Sequence, residues 1–311
     1  MTWLSRYTRL LAAATLLLVA AGGMVTSTNS GLSVPDWPTT YGHQMFAFPL
    51  SGMVGGIFYE HGHRLIASTV GMLTIGLVVW LWRAEPRAWV RRLGWAALAA
   101  VIAQGVLGGL TVLLRLPDAV SISHAALAQI FFCLTVTLAL VTSESWRSPA
   151  SPPVDDPTLR ASMVALTSLV YVQILLGATV RHTGAGLAIP DFPLSFGRLV
   201  PPFWTEPVAL HFAHRVGALV VTLAVATNVT LVLSRHWHRR ELRRPALLLV
   251  AAVITQVTLG ALVVLSARQP VINTLHVATG ATVLATSLVL TLRAFQGRSV
   301  RVAHPAALAV S

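Results

Sequence analysis

Charge is what this chain has least of. Only 10% of its 311 residues are Asp, Glu, Lys or Arg, against 55% that are hydrophobic, and the mean hydropathy is +0.72. That mix excludes an ordinary soluble domain, about a quarter of which is charged, and marks an integral membrane protein. Lysine is missing, so all 22 basic residues are Arg, against 10 acids. The resulting net charge of +12 invites a nucleic-acid partner, but a basic excess confined to cytoplasmic loops is what membrane insertion itself produces, and no nucleic acid is called for. Cysteine occurs once, as Cys133 inside an apolar run, which leaves neither a disulfide nor a thiolate metal cluster within the chain.

What the sequence does have is long apolar runs. Those able to cross a hydrocarbon core, about 20 residues each, cover 8–25, 62–82, 92–114, 119–142, 160–180, 208–234, 246–265 and 271–293. The first looks like a signal peptide, with Arg6 and Arg9 before it and Ala20, Ala21 and Gly22 after it, but an internal repeat argues against cleavage. Residues 22–25 and 28–38 align with 177–180 and 183–193, Glu60/His63/Arg64 with His211/His214/Arg215, 104–109 with 256–261, and His124 with His276. Offsets stay between 151 and 155 throughout. The expected fold is an all-α integral membrane protein of eight transmembrane helices, arranged as two four-helix bundles, residues 1–142 and 160–311, flanking a cytoplasmic linker at 143–159. Because four is even, both halves enter from the same side and a pseudo-twofold axis along the membrane normal should relate them. Of the 22 arginines, 16 fall on the face that carries the termini. Both termini should therefore be cytoplasmic, and His63, His124, His214 and His276 should lie towards the outer leaflet, beneath outer loops 26–59 and 181–207 that can act as lids.

Ionisable groups inside membrane helices are costly and usually functional. Two neutral imidazoles from facing helices make the axial ligands of a b-type haem, so His63 with His124 and His214 with His276 are expected to hold haem iron, the bland reading being hydrogen bonds across helix interfaces. Arg64 and Arg215 follow two of the ligands directly, where a guanidinium suits a propionate carboxylate; the alternative is an anchor to lipid phosphate. Gln104 and Gln256 are candidate supports for the ligands or interhelical glue, and Trp37 reads as part of the interfacial aromatic belt. His43, His61, His182, His236, His238 and His304 are given no role, and Asp36 and Asp191 are read as turn-forming. The repeats differ at one telling place: Glu60 stands where the second half has His211. A carboxyl group beside a metal centre can move protons or stabilise positive charge, so the first half is expected to react and the second to serve it, unless Glu60 is only a solvated residue at a helix start.

The glycine-rich exit from the first run, the Gly31-Leu32-Ser33-Val34-Pro35-Asp36-Trp37-Pro38 loop, the Glu60-x-x-His63-Arg64 motif and the repeated single histidines resemble the haem A synthase family along essentially the whole chain. The resemblance implies an enzyme of cytochrome oxidase biogenesis that takes the C8 methyl group of haem O to the formyl group of haem A by successive hydroxylations. It implies that His63 and His124 flank haem O, that His214 and His276 ligate a haem b, and that Glu60 is the catalytic carboxylate. An unidentified electron donor is required, haem O synthase is a plausible partner, and small-residue helix faces in the lipid allow a homo-oligomer. Many family members carry a cysteine pair in the first outer loop, one of them where this chain has Thr40; its absence puts electron transfer through a loop disulfide in doubt here. A dihaem b-type cytochrome passing electrons from quinol, or a haem transporter, would use the same four histidines.

Overall fold

The computed structural model describes residues 2–149 and 151–296. His304 and the basic carboxyl-terminal segment beyond 296 lie outside the described residues. The helices in chain order are α1 (Trp3–Ser27), α2 (Gly55–Ala84), α3 (Ala88–Leu113), α4 (Asp118–Val141), the single turn α5 (Glu144–Arg147), α6 (Pro157–His182), α7 (Glu206–Arg235), α8 (Arg240–Leu265) and α9 (Pro270–Phe295). Eight of these are long and apolar enough to cross a membrane, as the eight runs predict.

The helices outreach the apolar runs at places where local chemistry starts or stops them. The Thr2 and Asp156 side chains cap the first free N–H groups of α1 and α6, and Pro157 fills the first position of α6, where a missing N–H costs nothing. Gln269 and Pro270 start α9 in the same way. At the other ends, Arg115 and Leu116 after α3, and Ala267 and Arg268 after α8, take left-handed backbone conformations that end each helix. The extension that matters most is at α2, which begins at Gly55 and not at 62. Glu60, His61, His63 and Arg64 are thus well inside a helix rather than at its first turn.

Within each half the four long helices close a ring: α1 packs on α2 and α4, and α3 on α2 and α4; α6 packs on α7 and α9, and α8 on α7 and α9. Each ring has its own apolar core, around Leu77, Phe131 and Leu138 in the first and Met163, Leu249 and Leu284 in the second. Large side chains such as Leu17, Leu223 and Ile254 point outwards, which hydrocarbon tolerates and water would not. Since lipid removes the hydrophobic drive between helices, polar contacts add to the packing, as in Thr8 to Thr142 (2.8 Å) and Thr167 to Thr291 (2.8 Å). The halves meet where α1 packs on α9, α6 on α4, and α4 on α9. At the α2–α3 turn, the fully buried Glu85 carboxylate binds Arg87 (2.6 Å) and Arg147 of α5 (2.9 Å), tying the linker to the bundle.

Candidate functional site

His63 projects from α2, His124 from α4, His214 from α7 and His276 from α9. Each imidazole rests its Cε1 edge on a helical glycine of a neighbouring helix. A Cβ built on Gly22 (α1) would stand 3.0 Å from His63, on Gly108 (α3) 3.2 Å from His124, on Gly177 (α6) 2.8 Å from His214, and on Gly260 (α8) 3.0 Å from His276. The two sets occupy matching places in the repeat, so the same glycine positions in each half make room for histidine rings. His63 lies within electrostatic reach of His124, and His214 of His276. Among the described residues no three metal-ligating side chains converge, so the histidines come as pairs.

The glutamines orient these rings. Gln104 donates to the His124 carbonyl (3.0 Å) and approaches His124 Nε2 (3.3 Å). His276 Nδ1–H donates to the Gln256 carbonyl (3.2 Å), and the Gln256 amide approaches His276 Nε2 (3.3 Å). Gln173 escaped the sequence reading, yet its amide meets His214 Nδ1 (3.0 Å) and the His214 carbonyl (2.8 Å). It stands four residues before Gly177, on the same helix face, which is the signal that would have found it. Among the described residues, His63 Nδ1 and His124 Nδ1 are buried without a partner.

Glu60 is not the solvated helix-start residue of the bland reading: it is 4% exposed, and Oε2 accepts the Val34 N–H (2.8 Å) while Oε1 pairs with Arg64 Nη2 (2.7 Å). Nor is Arg64 poised for a propionate. Its Nη1 donates to the carbonyls of Asp36 (2.8 Å) and Thr39 (3.0 Å) and its Nη2 to that of Val34 (2.9 Å) as well as to Glu60, which uses three amino N–H groups on the outer loop and the fourth on its own helix. The second half repeats this brace with different chemistry. Ile189 N–H donates to His211 Nδ1 (3.3 Å), and Arg215 donates to the carbonyls of Leu194 (2.9 Å) and Ile189 (3.1 Å). Glu60 and His211 thus share one task, accepting the matching loop N–H, and differ in that only Glu60 neutralises its arginine. The Arg215 Nε–H is buried without a partner.

Other residues make contacts that no local pattern announces. His61 is buried, its Nδ1 against the Thr40 hydroxyl (3.0 Å) and its ring against Phe48. Trp37 stays exposed but lays its indole against α3, where a Cβ on Gly109 would meet it at 2.5 Å, so it also anchors the loop. His182 is the last residue of α6, half-buried, and not a loop residue. His236 has a partner in Asp156 (3.1 Å). Asp36 accepts the N–H groups of Tyr41 (2.8 Å) and Gly42 (2.9 Å) and the Thr39 hydroxyl, and Asp191 accepts those of Phe196 (2.7 Å) and Gly197 (2.8 Å), the turn-forming role their setting predicts.

A family model described as cytochrome oxidase assembly protein, COX15-CtaA, matches residues 5–289, nearly the whole chain. The chain belongs to this family. Among its relatives, the protein named haem A synthase from Symbiobacterium thermophilum is 34% identical over 275 residues, covering 84% of this chain and 85% of that one. The one from Halalkalibacterium halodurans is 28% identical, covering 84% and 86%. The one from Sphingopyxis alaskensis is 27% identical, covering 91% and 89%. The COX15-CtaA match therefore spans both histidine pairs and both braced loops.

Proposed function

We propose that this protein is a haem A synthase of the bacterial cell membrane, oxidising the C8 methyl group of haem O to the formyl group of haem A. The observation that carries the reading is the pair of histidine couples, each ring seated on a glycine, in a chain whose relatives bear that name. Such a couple would hold a haem iron between two imidazoles, and small glycine faces would suit a flat ligand. The partnerless Nδ1 atoms of His63 and His124 fit a site completed by something the polypeptide does not provide. In the second couple Gln173 meets His214 Nδ1 and the Gln256 carbonyl takes the His276 Nδ1–H, contacts that restrain both rings.

In this reading residues 1–142 hold haem O between His63 and His124, and residues 160–311 hold haem b between His214 and His276. The halves are related by a pseudo-twofold axis along the membrane normal, both termini are cytoplasmic, and the sites lie towards the outer leaflet, in keeping with the bias of arginine to the opposite face. Haem b supplies one-electron relay when bound. His63 and His124 grip and orient the substrate. Glu60, one turn from His63, offers a carboxylate to positive charge developing beside the reacting methyl group, and Arg64 holds that carboxylate in place. The braced first loop covers the site, and two hydroxylations of the methyl group, each a two-electron oxidation whose oxygen atom and oxidant come from outside the chain, give a gem-diol that loses water to the aldehyde. Reducing equivalents come from an external donor, and direct transfer from haem O synthase suits so poorly soluble a substrate.

The test is co-expression with a haem O source, followed by extraction and chromatographic separation of the cofactors. Haem A should accumulate with the natural chain and vanish in His63→Ala, which should still retain a low-spin b haem. Persistent absence of haem A and of its hydroxylated intermediate with the natural chain sinks the proposal.

A further inference from the structure

The repeat conserves geometry closely enough that its substitutions can be read position by position. Leu116 and Arg268 correspond: both take left-handed backbone (φ 59 and 66), and both donate their N–H to the preceding helix, to Thr111 and Val263. Both lie over a matching loop glycine, Leu116 at 3.3 Å from a Cβ built on Gly31 and Arg268 at 3.7 Å from one on Gly186. An apolar contact in the first half is therefore a cation in the second. The same holds at the helix exits, where Thr26 of α1 corresponds to Arg181 of α6.

Arg181 crosses to the other half, donating to the Gly23 carbonyl (2.6 Å) and the Ser27 hydroxyl (3.0 Å), but its Nε–H is buried without a partner. It lies within electrostatic reach of both Arg268 and His276. Among the described residues the Arg268 guanidinium has no hydrogen bond or ion pair, and Arg181 pairs with no acid. Arg215, beside His214, has lost the anion that Glu60 gives Arg64 and keeps its own buried Nε–H free. A carboxylate within reach of Arg215 is Asp191, whose oxygens already take two loop N–H groups. In the first half the nearby extra cation is Arg115, which is exposed. The second half thus carries three incompletely satisfied guanidiniums, Arg181 and Arg268 within electrostatic reach of each other and Arg215 beside His214, while the matching positions of the first are neutral or paired.

We propose that Arg181, Arg268 and Arg215 form a carboxylate clamp for the propionates of a haem resident in the second half, and that the neutral counterparts in the first half let its tetrapyrrole depart. The inference rests on the reading of the second half as a haem site and adds what holds that haem there. Half-buried guanidiniums with unused donors favour a carboxylate, because each bond is charge-assisted. A substrate site must release its product, so a clamp there would oppose turnover.

The test is haem retention in the full-length protein, in a His124→Ala background that leaves one site. Haem b and its dimethyl ester, which lacks the carboxylates, are each titrated by the low-spin absorbance and then chased with excess haem scavenger. R181Q and R268Q should each weaken haem b binding about tenfold or more, the scale of a lost charged hydrogen bond. They should leave the ester within about twofold of the unsubstituted background. Equal weakening of haem b and ester would make the arginines structural and overturn the clamp, as would no change in either. R268Q, on an outer turn with no intramolecular partner, keeps the test decisive if R181Q does not survive purification. Absence of low-spin haem from the His124→Ala protein itself overturns the underlying reading, an outcome distinct from bound haem that ignores the arginines.

Discussion

Replacing Glu60 with alanine removes two contacts at once. The Arg64 guanidinium, 8% exposed, loses its only carboxylate, and the Val34 N–H, on a residue with no exposure, loses its acceptor. Breaking one side of a buried ion pair costs about 3–5 kcal/mol, and an orphaned buried N–H about 1–3 kcal/mol. Arg64 keeps three carbonyls at 2.8, 2.9 and 3.0 Å, which places the combined loss near the low end, about 3 kcal/mol. Glu60→His copies the second half and should return the acceptor but not the anion, recovering about 1 kcal/mol. Hydrogen exchange read by mass spectrometry over residues 28–45 measures both. At about 1.4 kcal/mol per decade, protection should fall roughly a hundredfold in Glu60→Ala and regain part of that in Glu60→His. Haem A formation should be lost in both. Unchanged loop protection in Glu60→Ala would refute the brace, and full activity in Glu60→His would refute a chemical role for the carboxylate.

Two further outcomes are expected. Gly177→Ala drives a Cβ to 2.8 Å from a His214 ring already held by Gln173, so the imidazole must shift, at about 1–3 kcal/mol, and low-spin haem per polypeptide should drop, whereas Gly108→Ala, at 3.2 Å from His124, should perturb the protein less. Burial pushes the Asp36 carboxyl up, but the N–H groups of Gly42 and Tyr41 and the Thr39 hydroxyl outweigh it and lower the pKa to about 2. Because the folded value lies below the unfolded one, this contribution to loop stability is present above about pH 4 and is lost as pH falls towards 2. Exchange in residues 36–42 should accelerate across that window, and Asp36→Asn should flatten the response; a loop equally protected at both ends of the window would count against the turn.

The number of helices, the division into two similar halves and the four histidines were legible in the sequence because each is a local or periodic signal. Twenty apolar residues have few alternatives in a bilayer, and a lone histidine among them stands out. The exchange of Glu60 for His211 was equally visible, but its meaning was not. Only the fold brings Val34 to Glu60 and Ile189 to His211, 26 and 22 positions apart across a mostly irregular loop in which no period announces a partner. The same reason hid the contact of Trp37 with α3, the burial of His61 and the engagement of Arg64. The sequence by itself determined how many times the chain crosses the membrane and which side chains are too polar to be there by accident. The tertiary structure decided what those side chains meet, because contacts between helices and loops depend on where separate segments come to rest and not on the spacing within any one of them.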